Sequence, residues 1–354
     1  MNAQFTQHNL IFKQASGTSR GVLTTKETYL LEISKNGQKG IGECAIFRGL
    51  SYDDVPDYEE KLTWLCENIH SDFEVLKKEL LHYPSIIFGL EQALLNLEHG
   101  EDLYFPSDFT DGKDSIKING LIWMGNADFM QSQIEEKLAK GFDCIKLKIG
   151  VDWKSEKEII KKLREKFPKE QLELRVDANG AFSYEEATIV LQELADLGIH
   201  SIEQPIKKNQ VKTKKSQETD EINSTVCCAP WNEMAKLCAE TPTPIALDEE
   251  LIGIIDFEEK KKLLETIKPQ YIILKPALVG GFSGSDEWIA IAESLGINWW
   301  ITSALESNIG LNAICQYTYT KKNPLPQGLG TGALFTNNFE THLQLEGDQM
   351  WHKK

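Results

Sequence analysis

The spacing of hydrophobic positions changes along the chain, and the change divides it in two. Near the N-terminus, Thr28-Tyr-Leu-Leu-Glu-Ile-Ser34 and Gly40-Ile-Gly-Glu-Cys-Ala45 read as two strands, with the turn Asn36-Gly37 between them. Further on, Ile86, Ile87, Leu90, Ala93, Leu94 and Leu97 recur at helical spacing and predict one buried stripe. Residues 1–110 are therefore expected to form a small α+β domain, ending in the polar stretch Ser107 to Asp114. Beyond it, short apolar runs alternate with helical patterns. Strands are predicted to begin near Ser115, Cys144, Leu172, His200, Pro244, Gln270, Asn298 and Gln327. The intervening helices include Ala127 to Lys140, stopped by Gly141, and Tyr184 to Leu197, where Ser183 and Glu186 are spaced as a capping box. Strands alternating with helices in this way predict an α/β fold, a parallel barrel over residues 111–335. A doubly wound open sheet is the competing architecture, but no strand is followed by the G-x-G-x-x-G fingerprint of a dinucleotide site. The polar run Lys207 to Thr225 fits neither pattern and reads as a surface insertion. Residues 336–354 are expected to pack back on the first domain.

Side chains alternate along a strand, so parity sorts them into two faces. In Cys144-Ile-Lys-Leu-Lys-Ile149 the apolar face is Ile145, Leu147 and Ile149, which leaves Lys146 and Lys148 together on the other. The same reading places Asp177 at the end of the inner row of Leu172–Asp177. It places Glu203 in His200–Pro205, Asp248 in Pro244–Asp248 and Lys275 in Tyr271–Lys275. Five successive strands thus aim Lys, Asp, Glu, Asp and Lys at one mouth. A single carboxylate at a strand end is usually a turn residue or helix cap. Several uncompensated charges buried together are costly unless they pair or bind a metal. Three carboxylates without a neighbouring His or Cys make an all-oxygen site, suited to Mg²⁺ or Mn²⁺ rather than zinc. His200 is turned outward by parity and reads as structural.

Composition narrows the classes. A net charge of −16 argues against a nucleic-acid partner, since phosphate binding needs a basic face. No apolar run approaches the roughly 20 residues of a membrane span, and the first residues lack the pattern of an export signal. Seven cysteines, odd in number and without a C-x-x-C pair, suit reduced thiols in a cytoplasm.

The motifs Lys146-Leu-Lys148, Arg175-Val-Asp-Ala-Asn-Gly180, Ile202-Glu-Gln-Pro205, Ala246-Leu-Asp-Glu-Glu250 and Leu274-Lys-Pro276 resemble those of the enolase superfamily. The resemblance implies an α+β capping domain followed by a modified (β/α)₇β TIM-type barrel. Within that superfamily, Ser303-Ala-Leu-Glu-Ser-Asn-Ile-Gly310, Gly328-Leu-Gly-Thr-Gly332, Ala15–Val22 and Gly42-Glu-Cys-Ala45 are similar to the o-succinylbenzoate synthases, the dehydratases of menaquinone biosynthesis. The likeness covers nearly the whole chain except the polar insertion, which stretches the spacing between Glu203 and Asp248. It implies one Mg²⁺, or Mn²⁺, on Asp177, Glu203 and Asp248, and a small carboxylate substrate. Lys148 is expected to act as base and Lys275 to stabilise charge from the opposite wall, with Lys146 and Asn179 in support. Arg20, Arg48, Ser303, Glu306 and Gly330 are the expected substrate-binding residues, the two arginines on mobile loops of the capping domain. Two alternatives stand beside this reading. One is an N-succinylamino acid racemase or a dipeptide epimerase, although the Asp-x-Asp of the latter is replaced here by Gly328–Gly332. The other is a non-catalytic binding protein of the same fold. A homo-oligomer is compatible with either.

Overall fold

The computed structural model describes residues 1–18, 21–123, 125, 127–208 and 231–354. Most of the expected insertion, and Arg20, lie outside these residues. The chain begins with an antiparallel sheet ordered β1 (Asn2–Thr18), β2 (Gly21–Lys35), β3 (Gln38–Cys44). Helices α1 (Tyr58–Asn68), α2 (Phe73–Glu79) and α3 (Pro84–His99) follow. Sequence alternation does not announce β1. It is an edge strand with Gln4, Thr6, Gln7 and Asn9 among its apolar residues, and most of it is exposed. Tyr29, Leu31 and Ile33 of β2 pack against the stripe of α3 that includes Ile86, Ile87, Leu90 and Ala93. The β3 strand lies directly on α3, and a Cβ at Gly42 would stand 2.0 Å from the Gly89 carbonyl. At that range the helix can satisfy the free edge of the strand. Asn96 Oδ1 accepts from Ile41 N at 2.9 Å, and the Gln92 amide bonds both the N–H and the carbonyl of Glu43.

The second part is built from β4 (Ile116–Lys117), β5 (Gly120–Ile122), α4 (Ala127–Ala139), β6 (Cys144–Lys148), α5 (Trp153–Lys166), β7 (Glu173–Asp177), α6 (Tyr184–Asp196) and β8 (Ser201–Glu203). After the undescribed stretch come α7 (Asn232–Glu240), β9 (Ile245–Leu247), α8 (Phe257–Ile267), β10 (Tyr271–Leu274), α9 (Pro276–Val279), α10 (Gly281–Ser294), β11 (Asn298–Ile301) and α11 (Asn308–Thr320). Strands β5 to β11 form one parallel sheet in chain order. Local capping sets several helix starts: Ser183 and Glu186 form the capping box of α6, and Asp256 accepts from two N–H groups of α8.

Two strand expectations are corrected. The one beginning near Ser115 is split: only β5 joins the curled sheet, while β4 pairs antiparallel with β13 of the C-terminal hairpin, β12 (Leu343–Glu346) and β13 (Gln349–His352). The one near Gln327 shrinks to parallel bridges, Ile118 with Gln327 and Thr302 with Gly328, which link the two ends of the sheet into a ring. Pro324 and Pro326 lack the N–H groups a longer ladder needs. The last residues also reach the first sheet, where Phe335 packs on Phe12 and Asn337 bonds Ile11 N. Side chains such as Ile145, Leu147, Leu174 and Val176 fill the core between sheet and helices. Inside the ring, Ala246, Ile273 and Trp300 form a small separate cluster, with the Arg175 guanidinium 4.2 Å above the Trp300 ring. No helix among the described residues is long and apolar enough to cross a membrane.

Two buried carboxylates of the first domain cap helices of the second. Glu43 accepts from Ser307 N, Ser307 Oγ and Gly310 N at the start of α11. Glu91 accepts from Phe282 N and Ser283 N at the start of α10, and Gly281 leaves room for it, since a Cβ there would meet Glu91 Oε2 at 2.2 Å. Burial pushes the Glu91 carboxyl up to about 7, although these hydrogen bonds hold it down in part. A carboxyl raised in the folded state contributes stability at low pH and loses it as pH climbs through its folded value. Glu91→Gln is therefore expected to remove a decline of roughly 2–3 kcal/mol in folding stability between about pH 5 and pH 8. Denaturant unfolding across that range checks this; identical pH slopes in variant and wild type would contradict it.

Candidate active site

Register brings the charged strand ends side by side. Lys148 pairs with Asp177 across β6 and β7, and Asp177 with Glu203 across β7 and β8. Asp248 and Lys275 follow directly after β9 and β10. Asp177, Glu203 and Asp248 are each 2% exposed, and three ammonium groups lie among them. Lys146 Nζ is 2.8 Å from Glu203 and 3.7 Å from Asp177, and Lys148 Nζ is 2.9 Å from Asp177. Lys275 pairs with Asp248 and stands 3.8 Å from Glu203. Lys148 and Lys275 thus meet the carboxylate row at opposite ends.

The balance of charge is incomplete. Burial works to raise all three carboxyls. At Asp177 the ammoniums of Lys148, Lys146 and Lys275 prevail and hold it below the usual range. Glu203 is instead pushed up, by burial and then by neighbouring Asp177, and Asp248 is raised by burial. Burial lowers the proton affinity of Lys275, yet Asp248 and Glu203 outweigh it and the ammonium is stabilised. Glu203 Oε1, shut from solvent, has no hydrogen-bond partner. An all-oxygen row with incompletely compensated carboxylates and a buried oxygen that no hydrogen bond satisfies fits a hard divalent cation.

Residues around the row fix its shape. Asn179 holds a left-handed backbone (φ 45°), donates from its N–H to Asp177 Oδ1 at 3.1 Å, accepts from Lys148 at 2.6 Å and donates to Glu249 at 3.1 Å. Sequence reasoning assigned no part to Gln204, which also has positive φ (40°). Its amide oxygen accepts from the N–H groups of Asp248 and Glu250, and its nitrogen donates to Glu250 and the Ile206 carbonyl. It therefore sets the turn that presents Asp248. The signal was its place in Glu-Gln-Pro, where a buried amide needs partners. His200 bonds Ser201 and Tyr271 and takes no part in the cluster.

The cavity over the row is lined by Lys146, Lys148, Asp177, Asn179 and Lys275, and by Ser303, Gly330 and Thr331 on the far side. The expected substrate residues divide. Ser303 and Gly330 line the cavity. Glu306 does not; it lies fully buried behind Ser303 and accepts from Ser303 Oγ at 2.5 Å and Ala304 N at 2.7 Å. Arg48 is also absent from the lining, because Glu27 and Asp54 bind its guanidinium and it lies over Tyr58. Its loop supplies Phe47 and Leu50 to the cavity instead. Arg20 lies outside the described residues.

Residues 3–97 match the family described as MenC, N-terminal domain, and residues 130–223 and 227–349 match Enolase C-terminal domain-like. The chain is 42% identical to an o-succinylbenzoate synthase of Desulfotalea psychrophila, over 98% of each chain. A crystal structure of MenC from that organism superposes with a TM-score of 0.84 at 40% identity, covering 99% of both chains. An N-succinylamino acid racemase of Thermus thermophilus is 33% identical, over 83% of this chain and 75% of its own.

One buried charge ties the first domain to this wall. Lys26 of β2 is 5% exposed, and its Nζ has no hydrogen-bond partner. Burial lowers its proton affinity, and Glu43 and Glu306 oppose that. Glu306 in turn is raised by burial and held down chiefly by Lys26. Lys26→Met should therefore strand two buried carboxylates and cost about 3–5 kcal/mol, and adding Glu306→Gln should recover part of that loss. Unfolding of the two single variants and the double variant checks it. Strictly additive losses would mean that Lys26 does not act on Glu306.

Proposed function

The chain belongs to the o-succinylbenzoate synthase family of the enolase superfamily, and we propose that it dehydrates 2-succinyl-6-hydroxy-2,4-cyclohexadiene-1-carboxylate to 2-succinylbenzoate in menaquinone biosynthesis. The observation that carries this reading is the likeness to the Desulfotalea enzyme along essentially the full length of both chains. The geometry supplies the means. The hydrogen to be removed is beside a carboxylate, and its loss loads a second negative charge onto that group. Asp177, Glu203 and Asp248 would hold one Mg²⁺, with Mn²⁺ as a substitute. A bound divalent cation supplies Lewis-acid stabilisation of the charge that gathers on the substrate carboxylate.

The chain's own residues account for the proton. Lys148, acting as the neutral amine, takes the ring hydrogen, and the electron pair of the broken C–H bond moves onto the adjacent carboxylate; it then returns to form the new ring double bond as the C–O bond breaks. The Lys148 ammonium then protonates the departing hydroxide on the same face, so water leaves and the ring becomes aromatic. Asn179 Oδ1, 2.6 Å from Lys148 Nζ, aims that nitrogen. Lys275 places a positive charge on the other side and need not titrate. Lys146, paired with Glu203 and Asp177 below the row, favours the ionised form of both. Ser303 and Gly330 offer the wall for the substrate's polar groups, and Phe47 and Leu50 an apolar surface for the succinyl methylenes. A cytoplasmic setting suits the five described cysteines, all unpaired.

The racemase relative supports a second reading. A lysine at each end of the carboxylate row would let Lys148 and Lys275 exchange protons on opposite faces of an N-succinylamino acid. Against a dipeptide epimerase stands Gly328-Leu-Gly-Thr-Gly332, which carries no carboxylate for a substrate ammonium.

EDTA should abolish turnover and Mg²⁺ restore it; full activity of metal-free protein would refute the metal assignment. Lys148→Ala should lose roughly 10²–10⁴-fold in kcat, with both proton exchange and dehydration gone. Lys275→Ala should lose turnover through charge stabilisation alone. If each single variant instead kept deuterium exchange on one enantiomer of an N-succinylamino acid while neither wild type nor variant dehydrated the diene, the racemase reading would replace this one.

A further inference from the structure

We propose that Asp102, His342 and His352 form a second metal site that takes a borderline transition-metal ion such as Zn²⁺, Co²⁺ or Ni²⁺. None of the three lines the active cavity. Asp102 follows α3, His342 precedes β12, and His352 ends β13. His342 Nδ1 lies 2.6 Å and His352 Nε2 3.1 Å from the same oxygen, Asp102 Oδ2, and all three donor atoms fall within 4.8 Å of one another. The other carboxylate oxygen, Oδ1, is shut from solvent and accepts nothing. Two imidazole nitrogens turned on a single carboxylate oxygen form an N,N,O set. Among the described residues Asp102 pairs with the two imidazoles and with no lysine or arginine, so with neutral rings no permanent cation balances its charge. This contrasts with the barrel mouth, where lysines occupy the carboxylates.

The surroundings hold the set in place. The Asp102 carbonyl accepts from Asn312 and Gln316 of α11 at 2.9 and 2.8 Å, which anchors the residue. The His352 ring is fully buried between Phe109 and the His342 ring, with centroids at 5.9 and 5.3 Å. The His342 side chain is 44% exposed, so water can complete the coordination. Ligands about 2.1 Å from a tetrahedral ion stand roughly 3.4 Å apart, so the two N···O spacings, 2.6 and 3.1 Å, need to open by less than 1 Å. Two imidazoles and one carboxylate favour these ions over Mg²⁺, the reverse of the all-oxygen barrel set. A bound ion would join residue 102 to both ends of the C-terminal hairpin, which pairs with β4 just before the first strand of the barrel. Its role is structural.

The test uses full-length protein stripped of metal and kept in excess Mg²⁺ to saturate the barrel mouth. Wild type should take up one equivalent of Zn²⁺ that Mg²⁺ does not displace, with a rise in Tm, and Co²⁺ in its place should show the visible absorption of a tetrahedral site. His342→Ala, at a half-exposed position, should weaken that uptake roughly tenfold or more and erase the Tm rise. Asp102→Asn should do the same, and Asp248→Asn, in the barrel, should keep both. The proposal fails if wild type and His342→Ala take up Zn²⁺ equally, if uptake is lost in Asp248→Asn alone, or if Mg²⁺ prevents uptake altogether. Because none of these readouts is catalytic, failure here leaves the dehydratase reading untouched.

Discussion

Three acids and three lysines are buried together at the ends of five adjacent parallel strands, and neither set is tolerable without the other. A lone carboxylate at 2% exposure would have to take a proton; beside Lys146 and Lys148, Asp177 stays ionised. The compensation stops short at Glu203, which is raised and has an oxygen without a hydrogen-bond partner. That residual negative potential is what a divalent cation would use. Asn179 and Gln204 both accept positive φ so that their amides reach the carboxylates or the turn that carries one.

The same constraint explains why the barrel cannot be separated from the domain before it. Glu43 and Glu91 cap two barrel helices from outside, and Lys26 faces Glu306 behind the Ser303 wall. Leu305, between Ser303 and Glu306, sits at φ 64° and lines the cavity, so the wall adopts a backbone conformation that its own sequence disfavours. Leu305 packs there against the cluster of Leu10 and Phe12 from the first sheet and Phe335. The Phe47–Leu50 loop, from that domain, closes the cavity with apolar rather than cationic side chains.

What was legible in the sequence follows from what kind of information each feature needs. Parity within a strand is local, so Lys146, Lys148, Asp177, Glu203, Asp248 and Lys275 could be placed on one face from their own segments. The α3 stripe was legible for the same reason. The direction of a loop side chain is not local: Arg48 goes to Glu27 and Asp54, which lie in other segments. β1 was invisible because an exposed edge strand needs no apolar alternation. Lys26 looks like an ordinary polar position on a strand, and only docking against the barrel buries it. Gln204 was quoted within a motif but given no task, because its four partners come together only in the fold. Glu306 was expected at the substrate, whereas it supports Ser303 from behind.

Dehydration and racemisation would draw on the same acids and lysines, and they differ in what leaves the substrate. The most direct measurement is therefore ultraviolet absorbance of purified protein mixed with the hydroxycyclohexadiene carboxylate in Mg²⁺, with mass analysis of the product. A dehydratase gives rapid aromatisation with loss of one water, at a kcat/KM well above that for racemising any N-succinylamino acid. An unchanged diene alongside efficient racemisation would contradict the dehydratase reading.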